Sequence, residues 1–379
     1  MDKKAVKIVT LSNQKKFKFS YNYDTNRLME YIVEARVLYK TVADLPVLPD
    51  LATSLQEELI KRSIFGTAAI EGNPLSEKQV MELISGSGNV ASTEKAETEI
   101  YNLKKTYEYI DEISTDKESK LISEDKIKYI HKLITSGIEY ADNYPGKYRH
   151  HTVKVGDTSH GGIYTPPKIN KDIAMLVSAL VNWLNSEEVM KLNPIIRCSL
   201  AHYHLALIHP FTDGNGRIAR AIEALLLRSA NVKYVPLMLS NYYYKNIDDY
   251  YWAFSKSIKN ENGEVTDFLE FVLQGFVESL NEIKDKITYF IRRFALREAY
   301  LQLHNASKVS KRQLDLLNIL LSSNKGFATS DLKRTAPFKT IYGKLSDRTV
   351  KRDVKHLLDN EFIIESDNLR FEINLRLLG

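Results

Sequence analysis

Two prolines and a Gly-Asn-Gly triplet constrain the chain between residues 193 and 220 more tightly than any other stretch. Asn193-Pro194 suits a helix start, with asparagine at the cap and proline at the first position, where its missing N–H is no loss. Pro210 must close that helix directly after His209, because proline cannot continue it. A helix over 194–209 is therefore predicted, delivering His209 at its end beside a loop. Gly214, Asn215 and Gly216 supply flexible backbone whose N–H groups can converge on an anion. The next helix, predicted over 217–230, adds its positive N-terminal end. Arg217 and Arg220 are three residues apart on it, so both guanidinium groups project to one side. Asp213 offers a hard oxygen ligand suited to Mg²⁺ bridging phosphates. One imidazole base, one metal ligand, an anion nest and two cations fit nucleoside triphosphate chemistry. No GxxxxGK[ST] occurs in the chain, which excludes a P-loop enzyme. His202 and His204 do not turn the segment into a transition-metal site, since residues two apart on a helix face away from each other.

The rest of the chain reads as mostly helical. Leu51, Leu55, Leu59, Ile64 and Ala68 repeat at helical spacing over 50–71, and Gly72-Asn73-Pro74 stops that helix. Ser76 with Gln79 resembles a capping box opening the next one. Further helices are expected over 92–114, 122–138, 168–185, 243–259, 265–276 and 278–304. Residues 145–167 are rich in glycine, proline and β-formers, and Val153 and Val155 alternate with polar neighbours, so a short hairpin is expected there. The single cysteine, Cys198, excludes an internal disulfide. Lys7 interrupts any apolar segment near the start that could serve for export. No run reaches the roughly 18 apolar residues of a membrane span. A cytoplasmic, membrane-free protein is the expectation.

Charge sets the last 74 residues apart. Residues 306–379 hold 14 Lys+Arg against 9 Asp+Glu, which accounts for the whole net charge of +5, while positions 1–305 are balanced. A helix near 310–322 is expected, then a short one at 330–334 and a strongly amphipathic one capped by Ser346. Phe362-Ile363-Ile364 and Leu369–Ile373 can form a hairpin after it. This order resembles a winged helix-turn-helix, with Arg348, Lys351, Arg352 and Lys355 on the exposed face of the recognition helix. Asp347 and Asp353 share that helix, so DNA contact and a plain protein-interaction face both fit.

His209-Pro210-Phe211-x-Asp213-Gly214-Asn215-Gly216-Arg217-x-x-Arg220 resembles the Fic-family signature HPFx[DE]GNGRxxR at every fixed position. The resemblance implies transfer of AMP from ATP to a Tyr, Ser or Thr hydroxyl of a target protein. It implies that His209 is the general base, Phe211 a buried anchor of the loop, and Asp213 the Mg²⁺ ligand. It further implies that Gly214, Asn215 and Gly216 cradle phosphates gripped by Arg217 and Arg220. The 148–167 hairpin is similar to the family's flap, with Val153 and Val155 as clamps on an added target strand; a purely structural hairpin edge fits the same residues. Tyr250 and Tyr251 resemble a tyrosine pair near the adenine pocket, although a core or surface role fits them as well.

Glu71 lies in the last turn of its helix, where the macrodipole disfavours an anion by about 0.3–1 kcal/mol. A carboxylate there tends to need a cation from elsewhere. Thr67, Glu71 and Gly72 match the family's inhibitory motif [ST]xxxE[GN], and the resemblance implies that Glu71 pairs with Arg220 and keeps bound ATP unreactive. The expected architecture is mainly α. A helical N-terminal domain (1–94) carries the brake, a Fic core (95–290) holds the small β-hairpin flap, a linker helix covers 291–305, and a winged-helix-like domain covers 306–379. The expected partners are a target protein, the chain itself as a modified substrate, a second copy in a homodimer, and DNA through the last domain. Two other readings of the same site are a DNA-binding regulator that senses nucleotide and a hydrolase that removes AMP.

Overall fold

The computed structural model describes residues 6–86, 92–113, 119–138, 144–260, 262–323, 326–366 and 370–377. Residue 114, at the end of an expected helix, and Leu369, at the start of an expected strand, lie outside them. The chain divides into two compact units, Met1–Asp44 with Leu48–Ile283, and Leu45–Val47 with Lys284–Gly379.

The first unit begins with a ribbon. Lys16-Phe17-Lys18-Phe19 alternates charge and ring, the period of a half-buried strand. β1 (Val6–Thr10) pairs antiparallel with β2 (Lys16–Ser20), Val6 opposite Ser20. Phe17 and Phe19 face inward, and the Phe19 ring lies 5.7 Å from Trp183 and 5.4 Å from His204. The chain continues as α1 (Thr25–Asp44), α2 (Pro49–Ile70), α3 (Glu77–Ser85), α4 (Glu94–Asp111) and α5 (Glu124–Thr135). Next come α6 (Asn170–Leu184), α7 (Glu187–Met190), α8 (Pro194–Ile208) and α9 (Asn215–Ser229). A 3-10 turn at Val235–Leu237 leads into α10 (Leu239–Lys245), α11 (Ile247–Lys259) and α12 (Thr266–Asn305). Every residue of α8 from Ile195 to Leu205 is buried, as expected of a helix at the centre of a core. The capping box forms as read: Ser76 N donates to Gln79 Oε1 at 3.0 Å, and the Ser76 hydroxyl accepts from Gln79 N.

Several boundaries differ from the sequence reading. The ribbon at 6–20 and α1 were not foreseen in a domain expected to be helical. The 243–259 helix is two, broken at Asn246, and the pair expected at 265–276 and 278–304 is the single helix α12. The hairpin within 148–167 narrows to one bridge, Val155 to Tyr164, closed by hydrogen bonds of 2.9 and 2.8 Å. Pro166 and Pro167 have no N–H to extend the pairing on that arm. No helix among the described residues is long and apolar enough to cross a membrane.

In the second unit, α13 (Lys311–Ser322) starts at a capping box of Ser310 and Gln313, then α14 (Asp331–Arg334), α15 (Phe338–Tyr342) and α16 (Asp347–Asp359) follow. β3 (Ile363–Ser366) and β4 (Arg370–Ile373) form an antiparallel hairpin, and Phe371 also bridges to Phe327. Leu317, Phe327, Tyr342, Val350, Leu357 and Ile363 belong to its core. Asp353 does not share the outer face of α16. It is buried and pairs with Arg312 at 2.6 Å, while Arg348, Lys351, Arg352 and Lys355 stay exposed.

Gly66 lets α2 meet α10 backbone to backbone. A Cβ at this position would lie 2.8 Å from Asn241 Cα, Asn241 N and the Ser240 carbonyl, all of them main-chain atoms. Gly66→Ala should destabilise the first unit by about 1–3 kcal/mol through overpacking, read as a lower midpoint in thermal or urea unfolding. His204 supplies a second test. Its Nε2 lies within 3.2 Å of the Ser20 backbone, and burial lowers its pKa to about 4. The unfolded chain binds that proton near pH 6.5, so this contribution is complete above 6.5 and is lost as pH falls towards 4. Unfolding measured across that interval should show a steeper loss of stability in wild type than in His204→Gln.

Candidate functional site

The loop after α8 is built from the inside. Asn193 caps α8 by accepting from Ile195 N at 2.9 Å, and His209 ends it in the left-handed region, at φ 50° and ψ 58°. Phe211 is fully buried and stacks on the His131 ring, centroids 3.7 Å apart and planes 7° from parallel. His131 Nδ1 accepts from Gly146 N at 2.9 Å, which leaves Nε2 to donate to the Asp213 carbonyl at 3.0 Å. Asn215 folds its side chain back on the loop, accepting from Phe211 N at 2.9 Å and donating to Phe211 O at 2.8 Å. The amide side chain is thus spent on shape, and the start of α9 is left to present backbone N–H groups.

His209 Nδ1 lies 3.3 Å from the Ala206 carbonyl, a contact that needs a proton on Nδ1 and leaves the Nε2 lone pair free. Burial lowers the His209 pKa to about 4; the Arg149 charge pushes the same way, and Glu71 and Asp213 oppose it. At neutral pH the ring is therefore uncharged and able to accept a proton.

A cavity of about 490 Å³ opens beside it, within the range of small-molecule sites. Glu71, Val155, His209, Gly216, Arg220, Tyr250 and Tyr251 are among its lining residues. Arg220 is buried and held by the end of α2 and the residue after it: its Nε donates to Thr67 Oγ1 at 2.7 Å, and its Nη2 donates to Glu71 Oε1 at 2.7 Å and to Thr67 O at 3.2 Å. The Glu71 carboxylate lies directly over Gly216, where an added Cβ would come 2.2 Å from its Oε1. Gly72 turns the chain away at φ 83°. Arg217 faces other partners, donating to Asp213 Oδ2 at 2.6 Å and lying 3.6 Å from Glu99. The two arginines thus share a helix but not a common set of contacts.

Tyr250 is both core and cavity wall. It is buried, its hydroxyl lies 2.9 Å from His202 Nε2, and it is close enough to Arg220 for the two to interact electrostatically. His202 Nδ1 lies 3.2 Å from the buried Glu223, which accepts from the Tyr243 hydroxyl at 3.0 Å. His202 and His204 therefore serve opposite sides of α8, as their spacing required. No group of three potential metal-binding side chains occurs among the described residues. On the flap, Val155 lines the cavity, whereas Val153 is half-buried and is not among the lining residues. Sequence reasoning passed over His131, Arg149 and Glu223, and also His160, which lines the cavity and lies 3.0 Å from Asp248. Burial distinguishes the first three from the many similar residues at the surface, and periodicity within α5 and α9 was the only signal for His131 and Glu223.

Residues 121–227 match the model of the Fic/DOC family. Protein adenylyltransferase fic-1 of Caenorhabditis briggsae is 33% identical over 165 residues, 43% of this chain and 31% of that protein. Protein adenylyltransferase Fic of Culex quinquefasciatus is 28% identical over 218 residues, 57% of this chain and 40% of that protein. The chain thus spans less than half the length of these curated relatives. A crystal structure of a Fic family protein from Desulfovibrio desulfuricans G20 shares the fold at a TM-score of 0.57 and 20% identity, over 93% of this chain and 97% of that one. Fic-1 from C. elegans does so at 0.52 and 23%, over 67% and 70%. His209, the glycine loop, Arg217 and Arg220 all lie inside the matched segment, and residues 121–227 are a Fic domain of the Fic/DOC family.

Proposed function

We propose that the chain is a protein adenylyltransferase that moves AMP from ATP to a hydroxyl of a target protein and is held in check by Glu71. The observation that carries this reading is the Glu71 carboxylate lying over Gly216 and bonded to Arg220, an internal anion at the start of α9 where a phosphate would bind. Both curated relatives quoted above bear the name protein adenylyltransferase.

In this reading His209 Nε2 accepts the proton of the target hydroxyl, whose oxygen attacks the α-phosphorus of ATP. The bond from that phosphorus to the bridging oxygen breaks, and pyrophosphate leaves with the electron pair. Arg220 and the N–H groups around Gly216 offset the negative charge on the leaving group. Mg²⁺ is commonly held by one or two carboxylates together with substrate phosphates. Asp213 fits that donor set, because Arg217 occupies its Oδ2 and the side chain is a quarter exposed. When bound, Mg²⁺ would supply charge neutralisation at the phosphates. Tyr251 and Tyr250 form a wall against which adenine can lie, and the residues on either side of Val155, whose own N–H and C=O are taken by Tyr164, offer a backbone edge to a target strand.

The ion pair of Glu71 with Arg220 is the brake in this reading. Removing the carboxylate frees the guanidinium and the space over Gly216 together. Glu71→Gly should raise AMP transfer to the chain itself or to a target on the order of 10- to 100-fold, the range of ordinary coupling free energies. Glu71→Gly with His209→Ala should show none. Intact-mass spectrometry after incubation with ATP and Mg²⁺ reads both, and equal labelling of wild type and Glu71→Gly would remove the brake. Release of AMP from a labelled target, faster with Glu71 than without it, would instead favour the hydrolytic direction.

A second reading concerns the last unit. Its burial of Asp353 leaves Arg348, Lys351, Arg352 and Lys355 on the outer face of α16, which supports a winged-helix-like domain that contacts DNA. The full chain should then bind duplex DNA with an affinity that falls steeply as salt rises, and Lys351→Glu with Lys355→Glu should abolish it in a mobility-shift titration.

A further inference from the structure

We propose that Arg149 is a positioning residue for His209, whose guanidinium fixes the imidazole-bearing backbone and both ends of the flap in one frame. The inference rests on the AMP-transfer reading of the site. The Arg149 side chain is fully buried, and each of its three nitrogens donates to a main-chain carbonyl. Nε reaches His209 O at 2.7 Å, Nη1 reaches His151 O at 2.7 Å, and Nη2 reaches Pro167 O at 2.6 Å. The backbone adds two more ties, from Arg149 N to Pro210 O at 3.0 Å and from Asn170 Nδ2 to Arg149 O at 2.9 Å.

No carboxylate pairs with this guanidinium among the described residues. A buried cation without a counter-ion is a load on stability. Burial draws its pKa down to about 10, still well above neutrality, so it remains charged. What the arginine supplies is geometry. His209 occupies the left-handed region, a conformation that needs outside support in a residue other than glycine. Its carbonyl is held by Arg149, and the next carbonyl, of Pro210, is held by the Arg149 main chain. His151 and Pro167 stand at the two ends of the flap segment that carries Val155 and Tyr164. A rigid planar fork can hold three carbonyls from three segments at once; a lysine, with one ammonium, cannot. Arg149, Glu71 and Asp213 are the charged groups that act on His209.

Arg197 provides a matched control. It too is a buried arginine, with Nε on Leu184 O at 3.1 Å and Nη2 on Lys120 O at 2.8 Å and near Asn185 Oδ1, but it touches no residue of the cavity. The test compares Arg149→Lys, Arg149→Gln and Arg197→Lys in the Glu71→Gly chain. It reads kcat and KM for ATP, thermal unfolding, and titration of the His209 ring by NMR. Arg149→Lys should lower kcat on the order of 100-fold, as a displaced base does, with KM for ATP changed by no more than about threefold. Its His209 resonance should shift, and in Arg149→Gln the ring should titrate at higher pH. Arg197→Lys should melt earlier and keep both kcat and the His209 resonance. An Arg149→Lys chain with kcat and His209 resonance like those of its parent overturns the proposal. Unfolding of both Arg149 variants also overturns it, in favour of a purely structural role. Absence of AMP transfer in the Glu71→Gly parent would refute the functional reading alone, and the NMR comparison would still decide the positioning.

Discussion

The contact between Glu71 and Arg220 across Gly216 fills the positive end of the cavity with a carboxylate of the chain itself. The start of α9 brings the helix's first backbone N–H groups next to a buried guanidinium, a positive locus that a negative partner stabilises. The chain provides one at the C-cap of α2, the carboxylate of Glu71, while Thr67 accepts from Nε and Nη2 of the same arginine. Any incoming phosphate must match what the carboxylate already offers. Because Arg220 is buried and Glu71 is about a quarter exposed, the acidic partner is the one free to leave. The glycine at 216 is what permits this closeness, since a methyl group there would occupy the carboxylate's place.

Three histidines of the same unit are uncharged at neutral pH. His131, His204 and His209 are each pushed down to about 4, burial being the largest cause in every case. Two of them act as rigid hydrogen-bonding plates: His131 under Phe211 and on the Asp213 carbonyl, His204 against the ribbon backbone. Only His209 opens on the cavity. The same physical condition, loss of solvent around an imidazole, thus serves packing at two positions and leaves an uncharged ring facing the cavity at the third.

Much of this was legible in the sequence where local chemistry decides the outcome. Pro194, Pro210 and the Gly-Asn-Gly triplet fixed the helix–loop–helix path, and the spacing of His202 and His204 placed them on opposite sides. The capping box at Ser76 starts its helix by hydrogen bonds between near neighbours, while the same device at Ser310 was not singled out. The ribbon at 6–20 was passed over although Phe17 and Phe19 alternate with lysines, because two five-residue strands gain their stability from Trp183 and His204, which are distant in the chain. Arg149 was invisible for a similar reason. In Tyr-Arg-His-His it looks like one more solvated cation, and only the folded chain brings the carbonyls of His151, Pro167 and His209 to its three nitrogens. Asp353 was misread as surface because its charge, taken alone, favours water; its pairing with Arg312 changes that balance.

The close approach of Gly66 to the main chain of Asn241 has a kinetic corollary. Thr67 is the very next residue and Glu71 only a little more than one turn further on, so the helix shaft that carries both is wedged against its neighbour and cannot glide along its own axis without a clash. Disengagement from Arg220 must then occur at the tip, by rotation about the glutamate's own torsions or by fraying of the final turn. Motions of that size are small and local, so the ion pair can break and re-form without the surrounding scaffold being rebuilt.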